Sequence, residues 1–381
     1  MRLSIRSRSS LAKAWGEAIA RRMPANVTRR TLPSWRRHAH IYRGSINFRG
    51  HKPNAAETGT NIADNVDMPI AFKGFRILAA AFIGMLQLAA CASAEPPKDP
   101  PAEESSAEAL GIVGGMASTT TAYEDTLLDV AYRHGVGFVE LVAANPGVDP
   151  WLPGEGTRVV LPKQHILPDA PQEGIVVNLA EMRIYYYPPD GAAVQTYPVG
   201  IGRSGKSTPL GLTKVASKRK DPIWYPTEAT RKDNPELPKV VPAGPENPLG
   251  AHALDLGWPA YLIHGTNNVW GIGRRVSRGC IRMYPEDIER LFAQVKPGTP
   301  TNVVDQPIKF AWMDGALYME AHTTQAQAEQ LEESGSFEPD EDLQLARLVG
   351  RALGGRLVPL DWQLIEKTAA ERRGVPVKVS E

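Results

Sequence analysis

Tyr261 to Met283 reads YLIHGTNNVWGIGRRVSRGCIRM. It holds Cys280, one of two cysteines in the chain, and His264 sixteen positions upstream. A cysteine and a histidine are the minimum set for thiol catalysis. The thiolate is the nucleophile, and a free thiol with a pKa of about 8.5 is only slightly ionised at neutral pH. A nearby imidazole takes the thiol proton and later returns one to a leaving amine. Ser277-Arg278-Gly279-Cys280 places a glycine just before the thiol, where the backbone can turn sharply and aim N–H groups at a developing oxyanion. Arg278 and Arg282 flank the thiol and favour its anion. Ala260 to Ile263 reads as a short strand, so His264-Gly265 falls where a strand gives way to a loop.

HGT…SRGCIRM resembles the signature of the L,D-transpeptidases, the YkuD domain, and within them the ErfK/YbiS/YcfS/YnhG branch. Arg278 stands where many members have His, and Arg282 where many have Asn. The likeness continues through Ser207-Thr208-Pro209-Leu210-Gly211, Asn247-Pro248-Leu249-Gly250 and Gly315-Ala316-Leu317-Tyr318, covering about residues 174–322. It implies Cys280 as nucleophile and His264 as general acid and base, with Ser277, Arg278, Gly279, Gly265 and Arg282 supporting them. It also implies acylation by carbapenems, and neither a cofactor nor a metal. His252, His264 and His322 lack ligand spacing around Cys280.

The chain has 381 residues and a net charge of +1, but the charge is uneven. Residues 1–67 carry 13 Lys and Arg against 4 Asp and Glu, leaving the remainder at −8. An acidic body argues against nucleic acid as the partner. Residues 1–67 read as a disordered or mis-annotated extension. Residues 68–94 read as a signal peptide: Lys73 and Arg76 precede an apolar run over 77–90 that is short for a bilayer span. The run ends Leu88-Ala89-Ala90-Cys91, which resembles a lipobox. The expectation is an exported, periplasmic protein, lipid-anchored to the membrane at Cys91. Cleavage after Ala92-Ser93-Ala94 is the alternative. Residues 95–122, rich in Pro, Ala, Glu and Ser, read as a flexible linker.

Residues 123–163 suggest a βααβ unit. Asp125 to Ala131 opens a helix, Gly137 to Ala144 gives a second that stops at Asn145-Pro146, and Thr157 to Leu161 is a strand. The unit resembles a LysM domain, which binds N-acetylglucosamine chains, with Glu124 where a glycine is usual. A plain spacer is the alternative.

From Gly174 onward Pro and Gly recur about every ten residues, and helical periods are scarce before Pro285 to Leu291. That pattern predicts a mainly β sandwich or barrel. Gly174 to Tyr187 reads as a hairpin turning at residues 178–181, and Gln195 to Val199 as a strand. Thr301 to Asp305 and Phe310 to Glu320 read as the closing strands of a catalytic domain over 174–322. Gly200 to Gly211 looks like a phosphate loop, but it is read as lacking the G-x-x-x-x-G-K-[ST] spacing and no strand-to-helix crossover is read after it, so nucleotide binding is set aside. Ser217 to Pro248 reads as a long loop capping the cleft, from which Trp224 and Tyr225, together with Trp270, are candidates for stem-peptide contact. Residues 323–381 read as an acidic linker, over 325–342, followed by a helical tail. Leu345, Leu348, Val349 and Ala352 share one helical face, and a second helix covers Asp361 to Arg373.

The resemblance implies acyl transfer from a peptidoglycan tetrapeptide stem, releasing D-alanine. The acceptor is a second stem, a lysine of an outer-membrane lipoprotein, or water; the last would make a carboxypeptidase. A non-catalytic wall-binding lipoprotein is the alternative from another class. The implied partners are stem peptides and glycan strands.

Overall fold

The computed structural model describes residues 111–339 and 344–381. The basic extension, the signal segment with Cys91 and most of the linker lie outside the described residues. Among the described residues no helix is long and apolar enough to cross a membrane.

The first segment was expected to be tether as far as residue 122, yet it is ordered from residue 111. β1 (Ile112–Gly114) and β2 (Ala117–Thr120) are strands. After them come α1 (Leu127–His134), α2 (Phe138–Ala144), β3 (Arg158–Leu161) and β4 (Gln164–Ile166). β2 pairs antiparallel with β3, and β1 with β4. The opening strand therefore lies before the boundary drawn at residue 123. Its apolar content is low, and its order comes from pairing with residues about 40 positions away. Thr126 and Asp129 form a capping box at the start of α1, and Gly135 in the left-handed conformation ends it. Leu127, Val130, Phe138, Leu141, Val159 and Leu161 are buried in one continuous core with the domain that follows.

That domain is a closed sheet. Its strands are β5 (Gly174–Asn178), β6 (Arg183–Tyr187), β7 (Gln195–Gly202), β8 (Gly211–Lys220), β9 (His252–Leu256), β10 (Leu262–His264), β11 (Arg275–Ser277), β12 (Ile281–Met283) and β13 (Pro300–Val304). The order is β11-β7-β12-β10-β9-β8-β13-β5-β6, and β6 also pairs with β7, so the sheet closes on itself. The β5–β6 hairpin turns where its alternation breaks, with Ile175 opposite Tyr186 and Val177 opposite Ile184. These four face the main core, while Val176, Tyr185 and Tyr187 face a second cluster with Leu167. Period-two alternation thus gives each side of the hairpin its own apolar partner.

Two helices complete this domain. α3 (Glu228–Asp233) sits in the long loop between β8 and β9. α4 (Pro285–Gln294) follows β12 with Pro285 in its first turn and buries Ile288 and Leu291. Gly200 to Ser207 matches the spacing G-x-x-x-x-G-K-[ST] letter for letter, yet it leaves β7 and returns into β8. With no helix after it, the loop lacks the N-terminus that would face a phosphate.

The residues after β13 differ most from expectation. β14 (Ile308–Met313) and β15 (Ala316–Ala321) do not close the barrel. They pair with each other, and β15 pairs with β16 (Val377–Lys378) near the chain end. Residues 325–342, expected as an acidic linker, hold the helix α5 (Gln325–Ser334). Thr324 and Gln327 cap it reciprocally, and Ala328 and Leu331 enter the main core. Its Glu329 and Glu332 are not linker charge but pair with Arg275 and Arg274 of the barrel. α6 (Leu345–Leu353) and α7 (Trp362–Glu371) then pack on β14 and β15. Phe310, Leu317, Met319, Val349, Ile365 and Val379 form their separate core. The catalytic barrel therefore ends at β13.

A buried polar joint ties these parts together. Lys309 Nζ lies 2.9 Å from Glu181 and 3.0 Å from Glu320, with all three side chains at most 1% exposed. Glu320 also accepts from His322 and meets His165. The ammonium occupies the place a cation would take between the two carboxylates.

Candidate active site

His264 and Cys280 come together through strand register. β10 and β12 run parallel, with Ile263 opposite Ile281 and His264 opposite Arg282. Ile263 and Ile281 are fully buried in the barrel core. By alternation His264 and Arg282 project to the other face, and so does Cys280, one residue before β12. Cys280 is thus a diagonal neighbour of His264, offset by two residues across an adjacent strand.

The imidazole is held by backbone. His264 is 3% exposed, and its Nδ1 is 2.6 Å from the Gly265 carbonyl oxygen. That contact assigns the Nδ1–H tautomer and leaves the lone pair on Nε2. The orienting third group is a carbonyl rather than a side chain. Burial lowers the His264 pKa to about 3, and Arg282 adds to this, while the backbone carbonyls of Gly265 and Leu249 act in the other direction. Burial pushes the Cys280 thiol above its ordinary 9.0, against the backbone at Leu262 and Arg282, which lower it. The resting pair is therefore neutral imidazole and thiol. The arginine flank was expected to hold a thiolate, but dehydration outweighs it.

The Cys280 thiol sits on a pinned turn. Cys280 Sγ–H donates to the Ala260 carbonyl at 3.5 Å. Ser277 Oγ donates to the Cys280 carbonyl at 2.5 Å and accepts from the Gly279 N–H at 3.0 Å. The Gly279 N–H was expected to face an oxyanion, but here it is engaged by Ser277. Gly279 has φ +108°, and a Cβ there would come within 2.7 Å of Tyr261 Cε1. Only glycine fits this position. Thr208 Oγ1 donates to the Gly279 carbonyl at 2.9 Å, which ties the Ser207-Thr208 segment to the same turn.

The remaining candidates are placed differently. Arg282 lies beside the pair. Arg278 forms an ion pair with Asp233 of α3. Trp224 forms a strand-like bridge with Val241 within the long loop, and Tyr225 is 64% exposed on it. Trp270 packs edge-on to Tyr132 of α1, with ring centroids 6.1 Å apart, which gives it a packing role toward the βααβ unit. Sequence reading missed Arg203, Lys206 and Asp233 as neighbours of the site. Asp233 had no signal at all, lying 45 positions from Arg278. The segment 200–208 had one, in its dense glycines next to a strand.

Comparison with known proteins gives the family. Residues 172–303 match the L,D-transpeptidase catalytic domain (YkuD), ending with β13. The chain is 50% identical over 202 residues to probable L,D-transpeptidase YcfS of Escherichia coli, covering 51% of this chain and 63% of that protein. It is 42% identical over 281 residues to probable L,D-transpeptidase ErfK/SrfK of Salmonella typhimurium, covering 72% of this chain and 89% of that protein. It is also similar to the NMR structure of the catalytic domain of E. faecium L,D-transpeptidase. That likeness has 24% identity and a TM-score of 0.27, covering 34% of this chain and 95% of the other. The chain belongs to the L,D-transpeptidase family.

Proposed function

We propose that the chain is a peptidoglycan L,D-transpeptidase acting through Cys280 and His264. The observation that carries this is the β10–β12 register, which sets the two side chains diagonally on one face with Nδ1 of His264 tied to the Gly265 carbonyl. The substrate is a tetrapeptide stem. His264 Nε2 takes the thiol proton as Sγ attacks the carbonyl of the third residue. The tetrahedral oxyanion accepts from the Cys280 N–H. His264 returns the proton to the nitrogen of the departing D-alanine, and a thioester remains. An acceptor amine attacks the thioester, gives up its proton to His264, and leaves as the new amide while the thiol is restored. The neutral imidazole has its Nε2 lone pair free for the first transfer, and the Gly265 carbonyl stabilises the imidazolium that forms.

The protein is exported, with Cys91 as the lipidation site. The βααβ unit holds glycan strands, and the acceptor is either a second stem or a lysine of an outer-membrane lipoprotein. The test incubates the purified chain, and Cys280→Ala, with a disaccharide-tetrapeptide under mass spectrometry. D-Alanine release with an adduct on Cys280, absent from the variant, supports the reading. A peptide dimer identifies a stem acceptor, and a free tripeptide identifies water. No adduct and no turnover from a folded protein would overturn it.

A further inference from the structure

Three cations surround the mouth of the site, and one carboxylate of the chain itself occupies them. Arg278 stands two residues before Cys280. The Arg203 N–H donates to the Ser277 carbonyl at 3.0 Å, and the Lys206 N–H to the Arg203 carbonyl at 2.9 Å. A Cβ on Gly279 would lie 3.3 Å from the Ser207 carbonyl oxygen and 3.5 Å from that of Lys206. The two turns bearing Arg203, Lys206 and Arg278 are thus laced around the nucleophile. Asp233, the last residue of α3, forms an ion pair with Arg278 and lies 3.5 Å from Arg203. Arg278, then Arg203 and Lys206, hold its carboxyl below the usual range.

From this juxtaposition we infer that Arg278 and Arg203 form a subsite for the terminal carboxylate of the donor peptide, in which Asp233 is an internal placeholder. The inference rests on the proposed reaction. The donor ends in a free carboxylate one residue beyond the carbonyl that Cys280 attacks. An arginine fork two residues from the thiol is placed to receive it. The Asp233 carboxylate is 53% exposed, so its ion pair is solvent-screened and readily exchanged. Substrate displaces it, and the long loop carrying α3 is released from the mouth as the peptide enters.

The test uses the purified chain with two donors, one with a free terminal carboxylate and one with that carboxylate amidated. A third donor amidated only at an internal carboxylate serves as control. Wild type loses about tenfold or more in kcat/KM on the terminally amidated donor and little on the control. Arg278→Gln and Arg203→Gln lose a similar factor on the native donor and no longer distinguish the terminal amide. Asp233→Asn lowers KM several-fold, because a competitor has been removed. Thermal melts confirm that these substitutions leave the fold intact. Undiminished discrimination in both arginine variants overturns the subsite. Discrimination that follows the internal carboxylate instead also overturns it. Turnover of the native donor by wild type stands apart from these outcomes, so the subsite can fail while the reaction assignment holds.

Discussion

Gly273 lies against Phe138 so closely that a Cβ on the glycine would come within 2.2 Å of the Phe138 nitrogen. Val139 donates its N–H to the Gly273 carbonyl at 3.1 Å, and Gly273 donates its own to Val199 of β7 at 3.1 Å. Tyr284 Oη–H reaches the Val136 carbonyl at 3.1 Å, and Glu140 pairs with Arg183 at 2.5 Å. The α1–α2 turn is thus clamped to the arm between His264 and Cys280. Gly273→Ala adds both the clash and a side chain at φ +71°. It should cost about 2–4 kcal/mol in denaturant unfolding. A change under about 0.5 kcal/mol would mean that the two parts separate freely.

Cys280 should behave as a dehydrated thiol. Because its pKa is raised above 9.0, its alkylation by iodoacetamide should keep accelerating past pH 9. Arg282→Met should move the profile further upward, since Arg282 lowers this pKa. Site-resolved mass spectrometry reads the rate. A plateau below pH 8 would show a preformed thiolate.

Stability should fall on acidification below pH 6.5. His264 binds no proton when folded until about pH 3, whereas the unfolded chain binds one near 6.5. Between these values the unfolded state holds more protons, so unfolding free energy rises with pH and is complete above 6.5. His264 contributes about 1.4 kcal/mol per pH unit at most. Buried His165, also lowered chiefly by burial, adds in the same direction. Urea titrations between pH 4 and 7 should give a shallower slope for His264→Gln. Equal slopes in the two proteins would contradict the buried neutral imidazole.

Lys309→Met should be among the most damaging substitutions outside the site. It leaves Glu181 and Glu320, both 0% exposed, without their ammonium. Removing one partner of a buried ion pair costs about 3–5 kcal/mol. Chemical unfolding measures it, and a loss below 1 kcal/mol would mean the carboxylates take up protons at little cost.

Ser277→Ala removes both the donor to the Cys280 carbonyl and the acceptor of the Gly279 N–H. The turn should loosen without unfolding. Carbapenem acylation of Cys280 should slow by about 10- to 100-fold, in line with small misplacement of a nucleophile. Ser277→Thr should recover part of this. An unchanged acylation rate would show that backbone pairing alone holds the turn.

The hairpin at 174–187 and the helix beginning at Pro285 were readable in one dimension, as were Cys280 and His264 as candidates. Each rests on short-range rules. Alternation of apolar side chains, a glycine before a thiol and a proline in a first turn act over a few residues. The phosphate-loop spacing at Gly200 to Ser207, expected to be absent, is present in the letters, and it means nothing there without a following helix.

What the sequence by itself determined was therefore the kit and its local settings: Cys280 after Gly279, His264 at a strand end, and a mainly β chain. Tertiary structure alone decided that β10 and β12 run side by side, that Asp233 meets Arg278, and that β14 and β15 leave the barrel for β16. It also decided which form of the catalytic pair is at rest. Pairing between distant segments depends on which apolar faces exclude water together, and that sum runs over the whole fold. Protonation follows burial, which no local run of letters contains.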